Sequence, residues 1–130
     1  MSLVLDTSIL IELERRNGKI INKIKELISR YPMPAQITFI SYYEFYHGLN
    51  KASVKNKYEA LSFVNKFNML RITKKTAEIL SDLRQTYEDR GKMLPLADLL
   101  IASQVIENKL VLVTLDKDFD RIKELNKVIL

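Results

Sequence analysis

Short apolar segments alternate with helical segments along the chain, and this alternation constrains the fold more than any other feature of the sequence. The connections are too long for hairpins, so successive strands must run parallel, with helices covering the sheet. We therefore expect one α/β domain over residues 1–130, a three-layer α/β/α sandwich around a parallel sheet of four to five strands. The predicted strands are residues 2–5, 35–40, 69–72, 110–113 and 128–130.

Capping signals and apolar periodicity predict helices between these strands. Thr7 is placed to cap a helix over residues 9–15, and Ser41 with Glu44 forms an S-x-x-E capping box that opens the third helix. The segment 96–107 is apolar on several sides, which predicts a deeply buried helix. Further helices are expected over residues 19–31, after Ser53 and over residues 73–89.

Composition narrows the class of protein. The chain has no cysteine, so it offers neither disulfides nor thiolate ligands, and this fits a reducing compartment. Its apolar runs are far shorter than the roughly 20 residues of a membrane span, and we expect a cytoplasmic protein without a membrane partner. The net charge of +5 permits attraction to a polyanion, but a solvated lysine-rich surface explains it equally well.

Four acids stand where a predicted strand ends or a predicted helix begins: Asp6, Glu44, Asp98 and Asp116. Each has a structural explanation on its own, because the helix macrodipole favours acids in a first turn. Asp98 is the hardest to explain in this way, since its neighbours on both sides are apolar and an ionised carboxylate there is costly unless paired or metal-bound.

The carboxyl ends of parallel strands meet at one edge of a sheet, so these four acids can converge in a single pocket. Crowded carboxylates repel one another, and a divalent cation is the natural compensation. Ligation by oxygen alone favours Mg²⁺ or Mn²⁺ over zinc, for which the chain has one histidine and no cysteine. Such ions suit phosphoryl chemistry, so the sequence indicates a metal-dependent nuclease.

Four sequence motifs resemble those of PIN-domain ribonucleases, in their order and approximate spacing over nearly the whole chain. In length and compactness the chain also resembles the VapC toxins of type II toxin–antitoxin systems. The motifs are D-T-S at residues 6–8, S-Y-Y-E-F-Y-H-G-L around Glu44, L-P-L-A-D-L-L-I-A around Asp98, and L-V-T-L-D-K-D-F around Asp116.

The resemblance implies an acidic pocket that holds one or two Mg²⁺ or Mn²⁺ ions and cleaves single-stranded RNA, leaving 5′-phosphate and 3′-hydroxyl ends. For toxin members it also implies a homodimer and inhibition by a small cognate antitoxin. By position, Asp6, Glu44 and Asp98 are the core metal ligands and Asp116 is the fourth acid. Supporting roles fall to Thr7, Ser41, Thr114 and Asp118, of which Asp118 is either a ligand or a neighbour of the ligands.

Aromatic and basic residues supply candidates for partner and substrate contacts. Four aromatics within five positions cannot all face one core, which predicts a partly exposed surface for a subunit or antitoxin contact, with base stacking as a further possibility. The residues are Tyr42, Tyr43, Phe45 and Tyr46. Candidate RNA-phosphate contacts near the pocket segments are Arg15, Arg16, Lys51, Lys117 and Arg121. His47 fits a packing or capping role better than catalysis, because metal-activated water does not require a histidine base.

Several other functions remain compatible with the same residues. A housekeeping RNA-processing enzyme or a DNA nuclease would use the same acidic pocket. In a non-catalytic RNA-binding or scaffold module, the acids would only cap helices. A signalling domain resembling a response receiver would also have an acidic pocket, but it would need a lysine after a later strand, and none stands out.

Overall fold

Five parallel strands form the central sheet in the computed structural model, which describes residues 2–130. In chain order they are β1 (Ser2–Leu5), β2 (Met33–Ile37), β3 (Asn68–Met69), β4 (Val111–Thr114) and β5 (Lys127–Ile129). The spatial order is β3-β2-β1-β4-β5, so β1 lies in the middle and the short β3 and β5 form the edges. The predicted parallel sheet within an α/β/α fold is confirmed.

Six helices connect the strands within residues 2–130. The bounds of α6 agree with the prediction of a helix over residues 96–107. No helix within residues 2–130 is long and apolar enough to cross a membrane. The helices are α1 (Thr7–Glu14), α2 (Gly18–Arg30), α3 (Phe39–Gly48), α4 (Val54–Val64), α5 (Lys74–Asp89) and α6 (Leu96–Glu107), with 3₁₀ turns at Leu49–Lys51 and Lys117–Arg121.

The alternating side chains of β1 divide the core into two halves. Leu3 and Leu5 pack with buried residues of α1 to α4 on one face of the sheet. Val4 points to the opposite face and packs with buried residues of α5 and α6. Because all three side chains are almost fully buried, β1 is a fixed central support for the residue that follows it, Asp6.

Two predicted helix caps are wrong. Thr7 does not cap α1 but lies within it, and Asp6 occupies the N-cap position. The predicted capping box of Ser41 and Glu44 is also absent, because α3 begins earlier and its N-cap, Thr38, accepts the Ser41 N–H. Since backbone capping does not use them, the side chains of Thr7, Ser41 and Glu44 are available for other contacts.

Two predicted strands differ from the observed ones by more than one residue at an end, whereas the predicted bounds of β4 and β5 are each off by one residue. We expected the second strand over residues 35–40, whereas β2 is Met33–Ile37 and the next residue, Thr38, is the N-cap of α3. In the third, predicted over residues 69–72, only Asn68–Met69 pairs with β2.

The buried amide of Gln104 links α6 to the start of α3 and to the segment after β3. Its Oε1 accepts a hydrogen bond from the Phe39 N–H at 3.3 Å, at the start of α3. Its Nε2 donates to the carbonyl oxygens of Leu70 at 3.1 Å and Arg71 at 3.5 Å, just after β3. One side chain therefore satisfies three backbone groups and fixes the start of α3 relative to α6.

Replacing Gln104 by leucine is expected to lower the free energy of unfolding by about 2–3 kcal/mol. Leucine keeps most of the side-chain volume but leaves the buried Leu70 carbonyl and the partly buried Phe39 N–H without Gln104 as their partner. Urea denaturation followed by circular dichroism measures the change. Gln85 on the exposed side of α5 is the control, and its replacement by leucine should change stability by less than about 0.5 kcal/mol. Equal effects of the two substitutions would contradict the bridging role.

Candidate active site

An acidic cavity of about 260 Å³ lies at the carboxyl edge of the sheet. The four predicted acids all line it, and each comes from a different part of the chain. Asp6 directly follows β1, Glu44 projects from α3, Asp98 lies in the first turn of α6 and Asp116 follows β4. The remaining lining residues are Thr7, Ser8, Ile11, Ile101 and Phe119.

Asp6 is the most firmly held of these acids, with only 5% of its surface exposed. Its Oδ2 accepts hydrogen bonds from the hydroxyls of Thr114 at 2.7 Å and Ser8 at 3.1 Å. Its Oδ1 accepts from the Ser41 hydroxyl at 3.4 Å. Three hydroxyl donors therefore fix the carboxylate at the end of β1, and they solvate its negative charge in place of water.

Thr114 also connects Asp6 to the acids after β4. Its hydroxyl oxygen accepts the Asp116 N–H at 2.9 Å while its hydroxyl hydrogen is donated to Asp6. The Asp116 carboxylate in turn accepts the Asp118 N–H at 2.9 Å. Asp118 itself is exposed and does not line the cavity, so the structure places it at the rim.

Glu44 is held by Thr7 across the mouth of the cavity. The Thr7 hydroxyl donates to Glu44 Oε1 at 2.9 Å and lies 3.4 Å from the Ser41 carbonyl oxygen. The supporting residues proposed from sequence thus contact the acids directly: Thr7 contacts Glu44, and Ser41 and Thr114 contact Asp6.

Burial and neighbouring charges perturb the acidity of Asp98. Burial, followed by the negative charge of Asp116, raises the pKa of its carboxyl group from 3.8 to about 6. The charges of Asp6 and Asp118 raise it further, whereas the Arg121 guanidinium lowers it. Burial and the neighbouring negative charges therefore both disfavour the ionised form of Asp98.

The donor atoms of the cavity fit a hard divalent cation in type but are not gathered around one point. Carboxylate and hydroxyl oxygens are the donors that Mg²⁺ and Mn²⁺ prefer. Yet within residues 2–130 no group of three or more acidic or histidine side chains is arranged to hold a metal ion. Hydrogen bonds engage the carboxylates of Asp6, Glu44 and Asp116, which keeps them directed towards protein donors.

The basic candidates lie at different distances from the cavity. Arg121 reaches its rim, with a guanidinium nitrogen 4.0 Å from Asp98. Arg15 lines a neighbouring groove that shares Ile11 and Glu44 with the acidic cavity. Arg16 lines a separate cavity, and the exposed Lys51 and Lys117 lie in the two 3₁₀ turns.

The aromatic cluster of α3 is divided between core and surface. Phe45 is buried against Phe63, so its assignment to an exposed partner surface is wrong. Tyr43 and Tyr46 are 55% and 44% exposed, and Tyr42 stacks on Tyr46 with ring centroids 6.1 Å apart. His47 stacks on Tyr43 and is not among the residues that line the acidic cavity.

Sequence reasoning missed the two contacts of Ser8 and the ion pair of Arg121 with Asp98. Ser8 bonds to Asp6 and also accepts the Leu115 N–H at 3.0 Å, which joins the ends of β1 and β4. The hydroxyl two residues after a strand-ending acid was the available signal. The ion pair between Arg121 and Asp98 had no comparable signal, because it depends on how the turn after β4 packs against α6.

Fold and site together define a parallel α/β/α domain with acids from four segments around one cavity at the carboxyl edge of its sheet. The sequence profile described as the PIN domain matches residues 3–125. The chain belongs to the PIN domain family.

Solved structures similar to this chain include several toxin–antitoxin complexes. A chain of Rickettsia felis VapBC2, bound to a DNA fragment from its promoter, has a TM-score of 0.85 at 25% identity, covering 100% of this chain and 99% of that one. A chain of VapBC-1 from nontypeable Haemophilus influenzae has a TM-score of 0.82 at 25% sequence identity, covering 99% of this chain and 98% of that one. A chain of a toxin–antitoxin complex from Klebsiella pneumoniae has a TM-score of 0.73 at 27% sequence identity, covering 95% of each chain. A search of curated protein sequences finds no significant match.

Proposed function

We propose that this protein is a metal-dependent endoribonuclease that cleaves single-stranded or structured RNA and acts as the toxin of a toxin–antitoxin pair. The observation that carries the proposal is the convergence of Asp6, Glu44, Asp98 and Asp116 on one cavity of a PIN domain. The similarity to VapBC complexes supports the toxin assignment.

The four cavity acids are the proposed ligands for one or two Mg²⁺ or Mn²⁺ ions. A bound ion of this kind lowers the pKa of water and neutralises charge on a phosphoryl group during in-line displacement. Asp6 contributes a carboxylate already fixed by three hydroxyls, whereas Asp98 contributes one that its surroundings disfavour in the charged form. Turning Glu44 away from Thr7 would bring a further carboxylate towards the others.

Residues around the acids have proposed roles in binding the substrate. Arg121 and Lys117 on the turn after β4 are placed to contact RNA phosphates beside the cavity. Arg15 lines the neighbouring groove and is a further proposed phosphate contact. Asp118 keeps its proposed supporting role through the N–H that it donates to Asp116.

The exposed tyrosines of α3 are the proposed partner surface. Tyr43 and Tyr46 present about half of their surface to solvent, and exposed aromatic side chains are common at protein interfaces. We propose that this surface contacts an antitoxin or a second copy of the chain. Light scattering of the purified protein, alone and co-expressed with the product of an adjacent reading frame, distinguishes monomer, homodimer and complex.

The proposed activity is tested with end-labelled single-stranded RNA. Cleavage should require Mg²⁺ or Mn²⁺, stop on addition of EDTA, and leave 5′-phosphate and 3′-hydroxyl ends. Unlabelled single-stranded DNA should inhibit cleavage of the labelled RNA less than the same excess of unlabelled single-stranded RNA. Cleavage of DNA in preference to RNA would favour the DNA nuclease, and absence of cleavage with every divalent ion would favour a non-catalytic module.

Replacing Thr114 by valine is expected to slow RNA cleavage by about 10- to 100-fold, as is typical when a residue that orients a metal ligand is lost. Valine has the same shape but removes the hydrogen bond to Asp6 and the acceptor for the Asp116 N–H. Serine at the same position keeps both and should retain most of the activity. Single-turnover cleavage rates measure the effect, and equal rates for valine and serine variants would contradict it.

A further inference from the structure

Among residues 2–130, Arg121 is the cation that forms ion pairs with the acids at the cavity, and one of its nitrogens contacts two carboxylates. Its Nη2 lies 4.0 Å from Asp98 Oδ2 and 3.8 Å from Asp118 Oδ2. Its Nε donates to the Asp118 carbonyl oxygen at 3.1 Å. The guanidinium is therefore held at the rim of the cavity, directed towards the acid that lies in the first turn of α6.

Buried neighbours anchor the backbone of Arg121 while its side chain stays accessible. Phe119 and Ile122 are each only 1% exposed and fix the segment against the core. The Arg121 side chain is 45% exposed, compared with 19% for Asp98. The guanidinium can therefore turn towards solvent without disturbing the core, whereas Asp98 stays in the cavity.

Positive charge at the cavity is scarce. Across residues 2–130, every ion pair made by Asp6, Glu44, Asp98, Asp116 or Asp118 involves Arg121. The hydroxyls of Ser8, Thr114 and Thr7 solvate the other carboxylates but carry no charge. One arginine thus supplies the ionic compensation that this part of the chain provides for the acids.

We propose that Arg121 is the resident counter-ion of the acidic cavity: it pairs with Asp98 while no divalent cation is bound and gives up that carboxylate when one binds. The inference rests on the proposed metal-binding function and identifies a residue that opposes metal binding. Arg121 and the divalent ion compete for the same negative charge, so the arginine stabilises the metal-free protein and weakens metal binding.

Replacing Arg121 by glutamine tests this competition in the absence of RNA. Removal of a competing unit charge a few ångströms from the site should tighten Mn²⁺ binding by about 3- to 10-fold. Arg84→Gln is the matched control, because it removes the same charge from an exposed ion pair with Glu88 on α5. Calorimetric titration of the wild type and both variants with Mn²⁺ at low salt measures the three affinities.

The direction of the change separates a counter-ion from a merely structural residue. We expect tighter Mn²⁺ binding and a lower urea midpoint without metal for Arg121→Gln, unchanged Mn²⁺ affinity for Arg84→Gln, and an intermediate affinity for Arg121→Lys. Weaker or unchanged Mn²⁺ binding by Arg121→Gln would overturn the inference while leaving the proposed nuclease intact, provided that the wild type binds Mn²⁺ and cleaves RNA. A wild-type protein that does not bind Mn²⁺ would overturn both.

Discussion

Replacing Asp6 by asparagine is expected to reduce the rate of RNA cleavage by at least about 100-fold, because loss of a residue that merely orients a metal ligand already costs about 10- to 100-fold. Asp6 is the proposed ligand that the protein holds most firmly, at the end of the central strand β1 and between three hydroxyl donors. Asparagine keeps the shape but removes the charge that would attract a divalent cation.

The Asp6→Asn experiment needs a control for folding and for net charge. Asp82→Asn changes the charge equally on the exposed surface of α5 and should cleave at the wild-type rate. The Asp6 variant should remain folded by circular dichroism, because the surrounding hydroxyls can reorient towards an amide. Cleavage by Asp6→Asn at the wild-type single-turnover rate would show that this carboxylate is not part of the reaction.

Replacing Asp98 by asparagine is expected to stabilise the metal-free protein by about 1–2 kcal/mol at pH 7.5. The pKa of Asp98 is about 6 in the folded protein and 3.8 ordinarily, so folding opposes its ionisation. Between about pH 4 and pH 6 the folded state binds more protons than the unfolded state, and stability therefore falls as pH rises. The full penalty is present above pH 6, where asparagine avoids it. Solvent and the lost contact with Arg121 reduce the expected gain below the full value of the shift.

The pH dependence identifies the cause of the Asp98→Asn effect. Urea denaturation at pH 7.5 and at pH 4, with EDTA present throughout, should show the gain at the higher pH and almost none at the lower. Asp82→Asn, on the exposed side of the middle of α5, should show neither the gain nor its pH dependence. A gain of equal size at both pH values would mean that packing, rather than relief of charge repulsion, causes it. The same variant should lose RNA cleavage in the presence of metal.

The parallel sheet and the convergence of the acids could be predicted because they depend on local patterns. The apolar run that forms β4 and the all-round apolar character of α6 indicate deep burial, which the structure confirms. Once the strands are known to be parallel, topology alone brings the end of β1 and the end of β4 together. The position of Asp6 and Asp116 on one cavity follows from that geometry.

Most of the contacts that orient the acids join residues far apart in the sequence, so local patterns could not predict which side chains would pair. An S-x-x-E pattern fits a capping box, but Thr38 caps α3 instead, and Glu44 bonds to Thr7. Competition between two possible caps only a few residues apart is decided by where β2 ends. The ion pair between Arg121 and Asp98 likewise depends on tertiary packing.

The location of a bound metal ion tests the central claim most directly. Crystals of the wild-type protein soaked in MnCl₂ should give an anomalous difference peak within the cavity lined by Asp6, Glu44, Asp98 and Asp116, with the carboxylates turned towards it. Crystals of Asp6→Asn treated in the same way should lack this peak or show it greatly weakened. A wild-type protein that cleaves RNA but shows no manganese in this cavity, or shows it only elsewhere, would contradict the account.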